Sequence, residues 1–335
     1  MPLRSGSAAI TRFRVTSRPD EPDFDRLAFA PILASSEARE SIGFVPFEPD
    51  APYLAGSQRW AFRVRIDRRK PETAAVRERL QQLIATELQT TGREFVGSKR
   101  RRELKELAEA ERLSGATPRT KVIECCLDGK TLLVASTAKA YLGVVLEQVR
   151  RIGIVADYLT PWAAVGEFED EGLSDIVDTH EPGESVRGCR CLKLMLEEPE
   201  VLLEPEAGSA KLRTRQARIS LTGDVMADVF AYLEAGAEIL SAKLLIGDFR
   251  FGFDGLSWRI SGLRFERQRY EHWIEALDAR LLRIQELFEW LDGAYARNKG
   301  RLANAGFRPP ARGRVDAEDG EQSPDAELEE IAVST

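Results

Sequence analysis

Two Asp-Gly pairs, Asp128-Gly129 and Asp254-Gly255, each sit between runs of β-branched, aromatic and aliphatic residues. A tight turn of this kind needs positive φ, which glycine reaches without steric cost, and it sends the flanking runs back antiparallel. "TKVIECCLDGKTLLVAS" (120–136) is therefore read as a hairpin, and "EILSAKLLIGDFRFGFDGLSWRISGLRF" (238–265) as a strand followed by a hairpin. With one such unit in each half, both halves are committed to antiparallel sheet.

Other segments extend this pattern. "AITRFRVTS" (9–17) alternates. So does "RWAFRVRID" (59–67), with Trp60, Phe62, Val64 and Ile66 on one face and Arg59, Ala61, Arg63 and Arg65 on the other. "FDRLAFAPI" reads as a short helix stopped by Pro31, and 43–57 as loop-rich. Pro71 opens a helix that Gly92 can stop, and Ser98 can cap a second one running to about Leu113. A further helix ends at Gly153, and "IVADYLT" is a strand closed by Pro161. In the second half "RCLKLMLEE" and "KLRTRQARISL" read as strands. Thr222 can cap a helix that stops at Gly236. A long amphipathic helix over roughly 267–292 puts Trp273, Leu277, Leu281, Ile284, Leu287, Phe288 and Leu291 on one side. Its first use is core packing and its second a subunit interface.

The order of elements is α+β, with antiparallel sheets and hairpins and packed helices. A multi-domain division follows: an N-terminal region 1–165 that includes a charged helical segment 72–113, an acidic loop or boundary at 166–188, a C-terminal region 189–292, and an extension 293–335 with a disordered acidic tail.

The net charge of −7 has to be divided before it can be used. From Asp316 onward the chain carries eight acidic residues and no basic one. With those set aside, 48 basic side chains face 47 acidic ones, so residues 1–315 stand at +1. A near-neutral body can still segregate charge. On a helix from Ser98, Arg101, Lys105 and Arg112 share a narrow sector within the run Lys99, Arg100, Arg101, Arg102 and Lys105. In "KLRTRQAR" a strand lines Lys211, Arg213 and Arg215 on one face, Arg218 and Lys243 join them in the candidate DNA-binding set, and Arg59, Arg63 and Arg65 form a similar row. Such rows repel themselves unless water or an anion screens them. One reading is a set of solvated faces; the other is a polyanion surface, for which duplex phosphate is the common partner. No recognition helix is evident, so phosphate contacts with little base readout are expected.

Catalytic signatures are missing. The sequence has no G-x-x-x-x-G-K-[ST], G-x-G-x-x-G after a strand, G-x-S-x-G or H-E-x-x-H. Its two histidines, His180 in an acidic loop and His272 on the last helix, are surface residues in the plain reading. Cys125, Cys126, Cys189 and Cys191 lack metal-ligand spacing and read as buried small hydrophobes in a reducing compartment. No enzyme, cofactor or metal is expected. No apolar run reaches membrane-spanning length and the start lacks a secretory core, so a cytoplasmic location is expected.

The chain resembles the RdgC recombination-associated proteins. The pieces that carry the resemblance are "FAPI" then "SIGFVP" (29–32, 41–46), the charged helical region ending "RRELKE", "TPR" (117–119) before a hairpin, "AKAYLGVVLEQVRRIG", and "AYLEAGAEILSAKLLIGDFRFGFDGLSWRISGLRF" (231–265). Their order runs through about residues 10–292. The resemblance implies a homodimer closing a ring around double-stranded DNA, nucleoid association, and restraint of RecA-mediated strand exchange through shared DNA. It draws Arg119 and Lys121 into the candidate DNA-binding set. Family members have an aromatic residue after the Pro-Arg pair; here Thr120-Lys121 stands there, and the lysine offers a phosphate contact instead. The competing class is a non-catalytic interaction scaffold whose cationic faces pair with acidic partners, the chain's own tail included.

Overall fold

The computed structural model describes residues 3, 6–33, 36, 38–49, 51–56, 59–113, 115–164, 176–266 and 268–309. The acidic tail and most of the first half of the 166–188 segment lie outside them. The first half holds β1 (Ala8–Ser17), β2 (Glu40–Val45), β3 (Leu54–Ala55), β4 (Arg59–Arg68), α1 (Thr73–Thr91), α2 (Ser98–Leu113), β5 (Arg119–Asp128), β6 (Thr131–Val134), α3 (Lys139–Arg151), β7 (Val155–Tyr158) and α4 (Pro161–Ala164). The second holds α5 (Val186–Met195), β8 (Val201–Leu203), β9 (Gly208–Arg213), β10 (Arg218–Gly223), α6 (Met226–Glu234), β11 (Glu238–Ile246), β12 (Phe249–Asp254), β13 (Arg259–Leu263) and α7 (Trp273–Asn298). The α+β class is as expected.

All the strand pairs are antiparallel, in the order β10-β9-β11-β12-β13-β1-β6-β5-β4-β2, with β3 on β4, β7 on β1 and β8 on β11. The join between the halves is β1. Its start pairs with β13 (Ile10 opposite Ile260) and its middle with β6 (Phe13 opposite Leu132).

Two apolar cores follow from strand alternation. Phe62, Val64 and Ile66 of β4 point with Phe13, Ile123, Cys125, Leu132 and Val134 toward Leu142, Val145 and Val149 of α3. The opposite face is set by Ala61, Cys126 and Leu133, which join Ile10, Leu244, Phe251, Phe253 and Ile260 against α5, α6 and α7. The expected α7 stripe is this packing: Leu277, Ile284, Leu287, Phe288 and Leu291 are buried, each contributing roughly 1.5–3 kcal/mol. Over β9–β13 the sheet core packs against helices on one face. On β9, β12 and β13 the other face carries mainly polar side chains.

Several boundaries differ from the sequence reading. "RCLKLMLEE" lies mostly in the helix α5, because Ser185 caps it by accepting from Arg187 N at 3.1 Å. Cys189 and Cys191 are therefore helical, and all four cysteines are buried and free. "KLRTRQARISL" is two strands, broken at 214–217. Thr222 lies in β10, and α6 begins at Met226. Only Asp25–Leu27 of the short helix forms, as a 3-10 turn. Gly92 and Gly129 take positive φ as expected, but the β12–β13 connection is a four-residue turn whose left-handed residue is Trp258.

The helices α1 and α2 form a hairpin of their own between β4 and β5. Their buried residues Val76, Leu104, Ala108 and Leu113 join neither main core. The hairpin is an arm rather than a layer. No helix among the described residues is long and apolar enough to cross a membrane.

Candidate nucleic-acid interface

On β9, Gly208, Ala210 and Leu212 point into the core, which turns Ser209, Lys211 and Arg213 outward. On β10, Arg218 is directly opposite Arg213. Two like charges in register are destabilising unless screened. Arg215 does not extend the row, because it sits in the turn that Thr214 builds. Lys243 of β11 is exposed and donates to Ala207 O at 2.8 Å.

Sheet pairing carries the polar face across five strands. Ser220, Lys211, Ser241, Asp254 and Arg259 are successive register partners on β10, β9, β11, β12 and β13. A parallel row is Lys243, Gly252 and Ser261. Between these rows lies a groove of about 400 Å³, to which Arg250 and Arg264 also contribute. Sequence reasoning missed Arg250, Arg259 and Arg264. The signal was there for Arg250: in "FRFGFD" the phenylalanines 249, 251 and 253 face the core, so Arg250, Gly252 and Asp254 face out. Gly252 matters locally, since a Cβ there would lie 2.5 Å from Ser261 Oγ.

Arg119 and Lys121 come together with Arg39, Arg68, Arg69 and Lys70 around a cavity of about 610 Å³ at the root of the helical arm. Glu40 is the one acidic lining residue among the described residues, and it pairs with Arg68. Lys121 lies over the Tyr141 ring, 5.6 Å from its centroid. The run "RRK" at 68–70 signalled this cluster, but only the β4–β5 pairing, Arg68 opposite Arg119, shows its extent.

The arm itself is more nearly neutral than its sequence implies. Arg100 pairs with Glu87 of α1 and Glu103, Arg102 with Glu106, and Lys105 with Glu109. Hydrogen bonds that it donates to Glu87 and then to Glu103 hold the Arg100 guanidinium well above its ordinary pKa. Lys99 and Arg101 have no ion pair among the described residues. The first-half row is neutralised or spent as well. Arg59 pairs with Asp128 and Asp278, Arg65 with Asp67, and Arg63 donates to Pro46 O. His272 precedes α7 rather than lying on it. No group of three His, Cys, Asp or Glu residues able to hold a metal occurs among the described residues.

No protein-family model matches this chain, and no curated protein matches it.

Proposed function

We propose that this chain binds double-stranded DNA through the phosphate backbone, without sequence preference and without chemistry. It would act as an RdgC-like homodimer in the nucleoid, closing around the duplex and limiting the access of RecA. The observation that carries the reading is the polar sheet face, where Lys211, Arg213, Arg218, Lys243, Arg250 and Arg259 are set out on strands, with Arg264 just past the end of β13. Charges fixed by a sheet are pre-organised for phosphates spaced along a rigid helix. Without a helix seated to enter a groove, contacts of this kind position the duplex and leave its bases unread.

The test is the binding of a labelled random duplex by fluorescence anisotropy between about 50 and 200 mM salt. The expected result is a linear fall of log K with log salt, equal for shuffled sequences. A preference above about a hundredfold, or ~2.7 kcal/mol, for one duplex overturns it. Light scattering should give about twice 37.5 kDa; a strict monomer that DNA does not change removes the ring.

A second reading, an interaction scaffold, is favoured by the tip of the arm. Phe95 is 77% exposed there and Leu107 on α2 is also exposed. DNA binding that is absent at low salt would leave this reading standing.

A further inference from the structure

Arg259 is 3% exposed. A guanidinium out of water is strongly unfavourable unless charge or hydrogen bonds compensate it. Its Nη1 donates to Thr137 O at 3.3 Å, and its Cζ lies 5.3 Å from the centroid of the Tyr158 ring. Nε is buried without a partner. No carboxylate of the described residues pairs with it. The nearest candidate in register, Asp254, is committed to the turn: its Oδ2 accepts from Ser257 Oγ at 2.7 Å and its Oδ1 from Ser257 N at 3.4 Å.

The surroundings repeat the imbalance. Among the described residues, the groove that Arg259 lines has five basic side chains, Lys211, Lys243, Arg250, Arg259 and Arg264, against Glu204 and Asp254. Arg250 lies 3.5 Å from Glu204. Lys211 and Arg264 have no ion pair among the described residues. The hydroxyls of Ser241 and Ser261 line the same space, and Ser261 Oγ sits over Gly252, donating to its carbonyl at 3.3 Å. A site with more donors than a two-oxygen carboxylate can accept, and a net positive lining, matches a phosphoryl group.

We infer that the groove holds a discrete phosphate seat, with the Arg259 guanidinium at its base and Lys211, Lys243 and Arg264 around its rim. A phosphate held there would supply the counter-charge that the fold withholds from Arg259. The inference rests on the proposed DNA reading only for the source of the phosphate, which is either a backbone phosphodiester or a free phosphate compound.

Pyrophosphate is the probe, titrated calorimetrically into the full chain at low salt, with duplex competition followed by anisotropy. The variants are Arg259→Gln and the exposed pair Lys211→Gln/Arg264→Gln. Arg150→Gln/Arg151→Gln, in the last turn of α3 and outside the groove, controls for loss of net charge. Saturable 1:1 binding, weakened at least tenfold in both groove variants and less than twofold in the control, supports the seat. If Arg259→Gln does not fold by circular dichroism, the exposed pair decides. Absence of saturable binding, or equal losses in groove and control variants, overturns the seat whatever DNA does. Displacement of duplex by pyrophosphate assigns the seat to the DNA backbone. Pyrophosphate binding without duplex binding keeps the seat, assigns it to a free phosphate compound, and sinks the DNA reading instead.

Discussion

Arg12 and Asp292 tie the first strand to the last helix: Arg12 Nη2 lies 2.8 and 2.9 Å from the two carboxylate oxygens, 280 residues along the chain. The same Asp292 Oδ1 accepts from Trp258 Nε1 at 2.9 Å. Trp258 is the left-handed residue of the β12–β13 turn, with φ 54°, a conformation costing about 1–2 kcal/mol for an L-residue. One carboxylate therefore serves the sheet's central strand and the strained turn together. Asp292→Ala leaves a mostly buried guanidinium and an indole N–H without their acceptor. It should destabilise by about 2–3 kcal/mol. Asp292→Asn keeps an acceptor for Trp258 and should cost about half as much. Urea midpoints at unchanged slope check both values.

A second carboxylate predicts the acid limb of stability. Asp67 accepts from Arg65 Nε and Nη2 at 3.0 and 2.9 Å and from Thr120 Oγ1 at 2.8 Å. The hydrogen bonds from Arg65 are the main cause that holds its pKa below the ordinary 3.8. The folded state therefore binds fewer protons than the unfolded chain near pH 4, and stability rises with pH there. The contribution is complete above 3.8 and is lost as pH falls through the depressed folded value. Asp67→Asn should cost about 1–2 kcal/mol at pH 7, with the exposure of Arg65 holding it to that range. The gap between wild type and variant should close below pH 3.8. A gap that widens in acid would contradict the assignment.

What could be read from the sequence was what local periodicity fixes. β4 keeps Phe62, Val64 and Ile66 in the core because its period of two is unbroken, and α7 keeps its stripe for the corresponding reason at 3.6. The errors came where two periods fit one short run. In "RCLKLMLEE" a strand pattern competes with the helical set Val186, Cys189, Leu192 and Leu196, and Ser185 decides for the helix. In "KLRTRQAR" no Gly or Pro marks the turn, since Thr214 Oγ1 makes it by accepting from Gln216 N and Ala217 N. The groove was out of reach for another reason. Lys211 meets Ser241, Asp254 and Arg259 only through strand order, and pairing between distant strands leaves no local trace. The charge balance of the arm was likewise hidden, because Glu87 reaches Arg100 from the neighbouring helix.

Two glycines should separate packing from propensity. Gly188 lies in the first turn of α5, where a Cβ would drive into Gly255 O and lie 2.9 Å from the Trp162 ring. Gly188→Ala therefore overpacks a rigid contact and should cost about 2–3 kcal/mol. Gly143 is exposed inside α3, with nothing within 4 Å of an added Cβ. Gly143→Ala should stabilise by about 0.5–1 kcal/mol. Thermal melts of the two variants should move in opposite directions.

The last prediction sets the strand face against the arm. Lys211, Arg213 and Arg218 stand on paired strands and have no carboxylate ion pair among the described residues. Replacing all three by Gln should weaken duplex binding for every sequence and lower the salt slope by up to about 0.9 for each phosphate left unneutralised. Arg100, Arg102 and Lys105 already face glutamates, so their contribution to a phosphate contact is offset by the pair that must first break. Exposed pairs of this kind stabilise a fold little, so removing them should leave the fold intact. Gln at these three positions should change the salt slope by less than half as much as the strand-face variant. Lys99→Gln/Arg101→Gln removes two arm charges that have no ion pair among the described residues and should fall between the two. Anisotropy titrations across a series of salt concentrations give all the slopes. If the arm variants flatten the slope and the strand-face variant does not, the arm is the DNA contact and the sheet face is not.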